Sequence, residues 1–480
     1  QLADIHLQVK IGGDAALFQG IIKHLLDTNS YDSDFIDEHT NQFEELKSHM
    51  KSFSWDRAVE DSGISKDEII RVANMCSDSK AMIACWAMGL TQHKNGVSVI
   101  QEVVNLLLLG GHIGRPGAGV CPVRGHSNVQ GDRTVGIWEA PSDAFLQSME
   151  QGLGFELPKA HGYDVVKSIR AMEDGNVDVF VCMGGNFLSA TPDTRRTAKA
   201  LQNIGLTVQI STKLNRCHLI TGHSALILPV LGRTEIDIQG SKRQFVTVEN
   251  SMGVVHRSEG KLKPASSSLM SEPSIVSELG YRLVPDNLPW RELSDNYDKI
   301  RTLMSNSLRG FDNYNQRVRQ ENGFLLPNPP RDDLKFETSS GKAVFSTNPL
   351  PDVSIENGKF VLMTMRSHDQ YNTTIYGLHD RYRGIHGNRR VVLMNALDMA
   401  ENGLKTRDTV NLASHFNGTV RKSNNWIVIA YDIPKGNMAA YFPEANELVP
   451  LDSVADLSNT PTSKWVVVSI SHNQKLSEEE

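Results

Sequence analysis

The sequence predicts an α/β protein in which doubly wound, Rossmann-like parallel-sheet domains precede a C-terminal, mainly β barrel. Three observations carry this. Apolar runs ending in glycine turns alternate with helical repeats through the first half of the chain, the order in which a doubly wound parallel sheet is laid down. Beyond about Pro351 short strands follow one another with a single brief helix between them. The chain has 480 residues, more than one hydrophobic core usually supports, so two to four domains are expected.

The elements follow in order. Apolar positions recur at helical spacing over 15–26, and the acidic, lysine-containing stretch after Tyr31 predicts further surface helices to about Ser48. Ser65-Lys-Asp-Glu68 has the form of a capping box. The run 81–88 is continuously apolar and ends at Gly89, as a buried parallel strand does. A helix over 97–109 is stopped by Gly110-Gly111, and 114–119 reads as a turn-rich loop. The buried-strand pattern returns at 177–183, Gly184-Gly185 supplies a turn, and 192–204 begins with proline and carries a helical repeat. Segments 206–210 and 225–230 add two strands. Ligands of such sheets sit at the carboxyl ends of the strands, so nucleotide binding is expected.

Between 259 and 342 the chain turns polar and rich in Ser, Pro and Asn, which predicts an irregular connection. Strands are then expected at 360–365, 391–394, 409–413, 426–429 and 438–442, with a helix at 396–403. The domains read as 1–125, 126–350 and 351–480. Only the acidic tail 478–480 is of biased composition.

Composition excludes several classes of function. With 39% apolar and 22% charged residues, no window of about eighteen uninterrupted apolar residues appears, which argues against a membrane span. A net charge of −7 supplies no footprint for nucleic acid. Cys76, Cys85, Cys121, Cys182 and Cys217 form no CxxC pair and no disulfide framework, so the cytoplasm is the expected compartment. The chain opens on Gln1 without a signal-peptide pattern and reads as a fragment or processed product.

Four segments are dense in chemistry. In Met88-Gly-Leu-Thr-Gln92 a strand delivers a glycine and two hydrogen-bonding side chains, though a capped turn reads the same way. Segment 119–131, GVCPVRGHSNVQG, brackets Arg124 with glycines that allow close backbone approach. A fixed guanidinium orients a small anion and stabilises moving charge, whereas the bland alternative is a structural salt bridge. His126 is either a proton shuttle or a hydrogen-bonded structural histidine. At 183–190, MGGNFLSA, backbone N–H groups and a following helix start suit a pyrophosphate, as an ordinary strand-to-helix turn also would. The polar loop 364–374 supplies mixed donors and acceptors.

The order MGLTQ, then GGHIGRPGAGVCPVRGHSNVQG, with this separation and intervening helix, resembles molybdenum formate dehydrogenases, a branch of the molybdopterin oxidoreductases of the DMSO reductase superfamily. The opening ADIHLQVKIGGDAAL and the closing 445–449 and 460–464 extend the resemblance over nearly the whole chain. It implies a double-psi-like barrel and a molybdenum bis(molybdopterin guanine dinucleotide) cofactor. Met88, Gly89, Gln92 and Gly125 would line it, and Gly184, Gly185 and Asn186 would hold one dinucleotide arm, with Ser211 and Lys213 near the guanine and ribose. Arg366, Ser367, His368, Gln370, Tyr371, Asn372 and Thr373 would cap the pterins, and Asn446 and Lys464 would approach one of them. Arg124 would hold formate or a similar anion, with His126 supporting the proton path.

Asn186 and Ala190 replace the family's usual acidic residue and threonine, which points to a divergent branch. No protein ligand to molybdenum or tungsten is proposed in this chain, and the metal-ligating residue and any 4Fe-4S cluster are expected only upstream of it. The electron-transfer partner is left open. Two competing readings are a non-redox dinucleotide- or pterin-binding module, or inactive fragment, and a nicotinamide dehydrogenase; the latter is weakened by the lack of a GxGxxG turn with a following acid.

Overall fold

A computed structural model describes residues 3–124, 126, 128–373 and 375–472. The chain forms two compact units: Gln1–Pro122, Ser189–Arg195 and Asn328–Glu480 in the first, and Val123–Leu188 with Arg196–Pro327 in the second.

The first unit has a helical layer and a barrel. Helix Asp14–Asp27 buries Ala15, Ala16, Ile21, Ile22 and Leu25 along one face and packs against Trp55–Ser62, Lys66–Asp78 and Gly96–Leu109. Gly20 permits that approach, since a Cβ there would lie 3.1 Å from Ile69. The capping box forms: Ser65 accepts from the Glu68 backbone and Glu68 accepts from that of Ser65. Ile83–Trp86 pairs in parallel with Gly119–Pro122. This corrects the expected buried strand at 81–88, because the strand is shorter, Ile83 is 49% exposed, and a helical turn already begins at Met88. A two-stranded sheet offers few neighbours to cover it, and a run of apolar residues alone does not reveal that.

The barrel is closed in the order Phe360–Met365, Asn437–Tyr441, Val391–Met394, Thr419–Ala430, Thr409–Phe416, Val466–His472. Phe360–Met365 with Asn437–Tyr441, and Val391–Met394 with Thr419–Ala430, pair in parallel; the other rungs are antiparallel. Leu362, Val392, Val410, Trp426, Met438 and Val468 fill the interior, and the Trp426 indole donates to Ser423 Oγ at 2.6 Å. The closing strand Val466–His472 and the polar first half of Thr419–Ala430 are additions to the expected set. Arg421, Lys422, Asn424 and Asn425 break the apolar pattern that marks a strand.

In the second unit Leu206–Ser211 is the middle of a three-stranded parallel sheet, between Val179–Met183 and Ser224–Pro229. The middle strand is buried as expected. Val179–Met183 is not: Val179, Val181 and Met183 are exposed, because this edge strand has a free face among the described residues. An antiparallel sheet follows, ordered Phe324–Leu325, Val254–Ser258, Val246–Glu249. The expected irregular connection 259–342 is also corrected, since it holds the helices Glu272–Leu283, Trp290–Asp295 and Tyr297–Ser307. Their buried faces include Ser274, Ser277 and Ser307, so periodicity in apolar residues is weak, while Ser271 and Asn296 cap them. Among the described residues no helix is long and apolar enough to cross a membrane.

Candidate functional site

Each unit carries one part of the expected site. In the first, the chain leaves Ile83–Trp86 into the short helix Met88–Thr91, which presents Met88, Gly89 and then Gln92. The Gln92 carbonyl accepts from the Lys464 backbone at 3.1 Å, tying this turn to the end of the barrel sequence. The next residue, His93, is buried and hydrogen-bonded to the backbone of Gly89; burial pushes its imidazole down to about 4, and the Lys464 charge adds to this.

Lys464 is the electrostatic centre of this part. Its ammonium donates to the Thr364 carbonyl, and burial, helped by the Arg366 charge, pushes it down to about 8. Arg366 lies half-buried with its guanidinium 5.4 Å from the Phe442 ring centroid. Burial lowers its affinity for a proton too. Among the described residues neither cation has a carboxylate ion-pair partner. Two desolvated positive charges without a counter-charge are costly unless an anion joins them.

The loop after Phe360–Met365 is wired from behind. Arg389, 4% exposed, donates to Ser367 Oγ at 3.0 Å, to Gln370 Oε1 at 2.9 Å and to the Phe442 carbonyl at 2.7 Å. Gln370 in turn donates to the carbonyls of Asn372 and Phe442, both at 2.7 Å. His368 sits 3.2 Å from Asp380 and its ring lies 4.3 Å from that of Tyr382. Burial of Asp380 works against its charge, yet hydrogen bonds from Arg383 and Tyr441 hold it below the usual carboxylate range. Tyr371 is exposed and bridges by backbone to Ile375, Asn372 takes a left-handed φ of 46°, and Thr373 is buried. Asn446 is buried with its amide donating to the Ser189 carbonyl at 2.8 Å.

In the second unit Arg124 is exposed, with its backbone N–H 3.4 Å from Ser251 Oγ and its Nε donating to Gln130 Oε1 at 3.1 Å. His126 interacts electrostatically with Asp132. Gly125 lies outside the described residues. Gly184 and Gly185 take φ values of 68° and 70°, a conformation that favours glycine, and among the described residues the space beside both is open. The Gly185 carbonyl accepts from Asn215 Nδ2 at 2.8 Å, which joins this turn to the Ser211–Lys213 segment, where Ser211 Oγ donates to the Lys213 carbonyl. Asn186 is buried beside the turn. These groups stand at the carboxyl ends of neighbouring parallel strands, where α/β sheets bind ligands.

Arg389, Glu444, Asp380 and His93 escaped the sequence reading. Arg389 stands with Arg390 just before the apolar strand Val391–Met394, a position that gives no signal of its inward aim. Cys121 is part-exposed and in contact with the Cys85 thiol across the strand pair. Among the described residues no group of three or more His, Cys, Asp or Glu side chains could hold a metal ion.

Comparison with known proteins gives these positions a frame. Residues 1–220 match the molybdopterin oxidoreductase family, and residues 360–467 match the molydopterin dinucleotide binding domain. An uncharacterized oxidoreductase of Mycobacterium tuberculosis is 48% identical over 98% of this chain and 62% of its own length. Protein YdeP of Escherichia coli K12 is 41% identical over 98% of this chain and 64% of its own. The chain thus spans less than two thirds of these relatives. A putative formate dehydrogenase of Bacillus subtilis is 29% identical over 49% of this chain and 24% of its own length. Acetylene hydratase from Pelobacter acetylenicus shares the fold, with a TM-score of 0.68 over 98% of this chain and 72% of its own at 18% identity.

Proposed function

The chain belongs to the molybdopterin oxidoreductase family, and from that premise we propose that it forms part of an enzyme that oxidises or reduces a small anion, formate or a close analogue, by two electrons. The family assigns molybdenum bis(molybdopterin guanine dinucleotide) as the cofactor, and the barrel matches its dinucleotide-binding domain. The observation that carries the reading is the pair Arg366 and Lys464, two desolvated cations without a carboxylate partner among the described residues, next to the Gln92 turn. Such a pair fits an anionic dinucleotide.

When bound, the cofactor supplies the two-electron chemistry. The chain's own residues bind and orient. Lys464 and Arg366 neutralise cofactor charge, Ser367, His368, Gln370 and Thr373 offer donors and acceptors to the pterins, and the Gly184-Gly185 turn with Asn186, Ser211 and Lys213 receives a dinucleotide arm. Arg124 is the substrate-anchoring cation, and His126 moves or holds a proton near it. Formate is preferred among small anions because the Arg124 segment resembles that of formate dehydrogenases and because a putative formate dehydrogenase is among the relatives.

The test uses the full-length gene product from molybdate-fed cells. Elemental analysis and oxidised-pterin fluorescence are expected to give metal and about two pterins per chain, and formate is expected to reduce an artificial dye. Absence of pterin sinks the cofactor reading. Pterin and metal without formate turnover keep the family and remove formate as substrate.

A further inference from the structure

Behind Arg124, in the second unit, lies a buried carboxyl that the reaction has not yet used. Helix Val129–Thr134 packs on the edge strand Val246–Glu249, and Glu249 at the end of that strand is 6% exposed. Two hydrogen bonds fasten the Arg124 segment to the same stretch: Asn128 Oδ1 accepts from the Glu249 backbone at 3.0 Å, and Ser251 Oγ accepts from that of Arg124 at 3.4 Å. Gln130 supplies a third link. Its amide oxygen takes the Arg124 Nε–H at 3.1 Å, which leaves the amide N–H₂ for the neighbouring Glu249 carboxyl, whose charged form it favours. Because the guanidinium can only donate, it fixes which end of the Gln130 amide points inward.

We propose that Glu249 is a positioning residue for Arg124, acting through the Gln130 amide to hold the guanidinium in the orientation that receives the substrate anion; this rests on the substrate-anchoring role given to Arg124. A buried carboxyl is a costly way to brace a surface loop, and its second oxygen, Oε2, has no hydrogen-bond partner among the described residues. Burial accordingly lifts the Glu249 carboxyl above the ordinary range, against the hydrogen bonds from Thr134 and Gln130 and the charge of Arg124. An apolar residue of similar volume would pack there at lower cost, so the carboxyl is explained by what it holds rather than by stability.

The experiment uses the full-length holoenzyme and reads Arg124 directly, by the rate at which phenylglyoxal modifies it, followed by peptide mass spectrometry. Glu249→Leu keeps the volume and removes the acceptor, and Gln130→Leu removes the bridge while leaving the carboxyl. Both are expected to speed labelling of Arg124 by about fivefold, the shift that loss of one ordinary hydrogen bond produces. Glu249→Gln retains an acceptor for Gln130 and is expected to stay near the wild-type rate. Equal rates in wild type and Glu249→Leu overturn the proposal, as does a Glu249→Gln rate as high as that of Glu249→Leu. If Glu249→Leu fails to fold, Glu249→Met, closer to glutamate in shape, decides by the same two outcomes. Absence of formate turnover in the wild type would fall on the functional reading alone, since the labelling rates need no substrate.

Discussion

Arg389 and Glu444 form a two-pronged ion pair in the barrel unit, with Nε 2.8 Å and Nη2 3.3 Å from the two carboxylate oxygens. The fork geometry leaves further donors for Ser367, Gln370 and the Phe442 carbonyl, so one buried side chain sets the shape of the whole 366–373 loop. Tyr376 and Tyr441 lie within 4.5 and 4.7 Å of its guanidinium carbon. Arg389→Met keeps the stem but strands Glu444 and frees the loop. Urea unfolding should show a loss of about 3 kcal/mol, typical of breaking a buried pair, and pterin content should fall with it. An unchanged midpoint would mean that the loop is held by other contacts.

Lys464 makes the cofactor-free protein sensitive to alkaline pH. Its pKa is about 8 in the folded chain against an ordinary 10.5. Between those values the unfolded chain binds one proton more, so stability rises with pH across that window; below pH 8 both states are protonated and the penalty of the buried charge is fully present. Lys464→Met should be more stable than the wild type at pH 7 and should lose the upward slope between pH 8 and 10.5. Urea midpoints over that range check both, and parallel curves would show that the ammonium is not desolvated. Anionic cofactor restores the proton, so its retention should weaken above pH 8.

The order of strands, glycine turns and helices was legible because backbone requirements are local. Phe360–Met365 and Val391–Met394 fall where their apolar runs stand, and Ser65-Lys-Asp-Glu68 makes its box. Burial was less legible, since Ile83 and Val181 have the composition of core strands yet lie exposed, and what covers a strand comes from distant chain. The site divides the same way. Glycines 184 and 185 announce themselves by conformational need, and the polar loop at 366–373 by composition. Arg389 and Glu249 do not, because each matters only through a partner dozens of residues away, and a single arginine or glutamate in sequence has the same meaning wherever it points.

Arg124→Ala separates substrate anchoring from cofactor binding. The side chain is exposed and, among the described residues, makes one hydrogen bond, to Gln130, so its removal should leave stability nearly unchanged. Formate turnover should fall by a factor of about a hundred or more, as expected for a positioned cation that meets developing charge, while metal and pterin content stay at the wild-type level. Equal losses of turnover and cofactor would reassign Arg124 to cofactor binding.

His93 sets the acid limit of the same turn that carries Gln92. Its ring is buried and its pKa is about 4, against an ordinary 6.5, because burial disfavours the imidazolium and the Lys464 charge adds to that, while the bond to Gly89 opposes both. The unfolded chain therefore binds the extra proton between pH 6.5 and 4, and stability falls as pH drops through that window, with no contribution above it. The full effect is on the order of 3 kcal/mol. His93→Gln keeps a donor for Gly89 and cannot be protonated, so its urea midpoint should decline less between pH 6.5 and 4 than that of the wild type. The two sites also interact. Removing the neighbouring charge in Lys464→Met should raise the His93 pKa, so that the acid decline is smaller and ends at higher pH, and nuclear magnetic resonance of the imidazole would register the shift; an unmoved titration would show that the two groups do not sense each other.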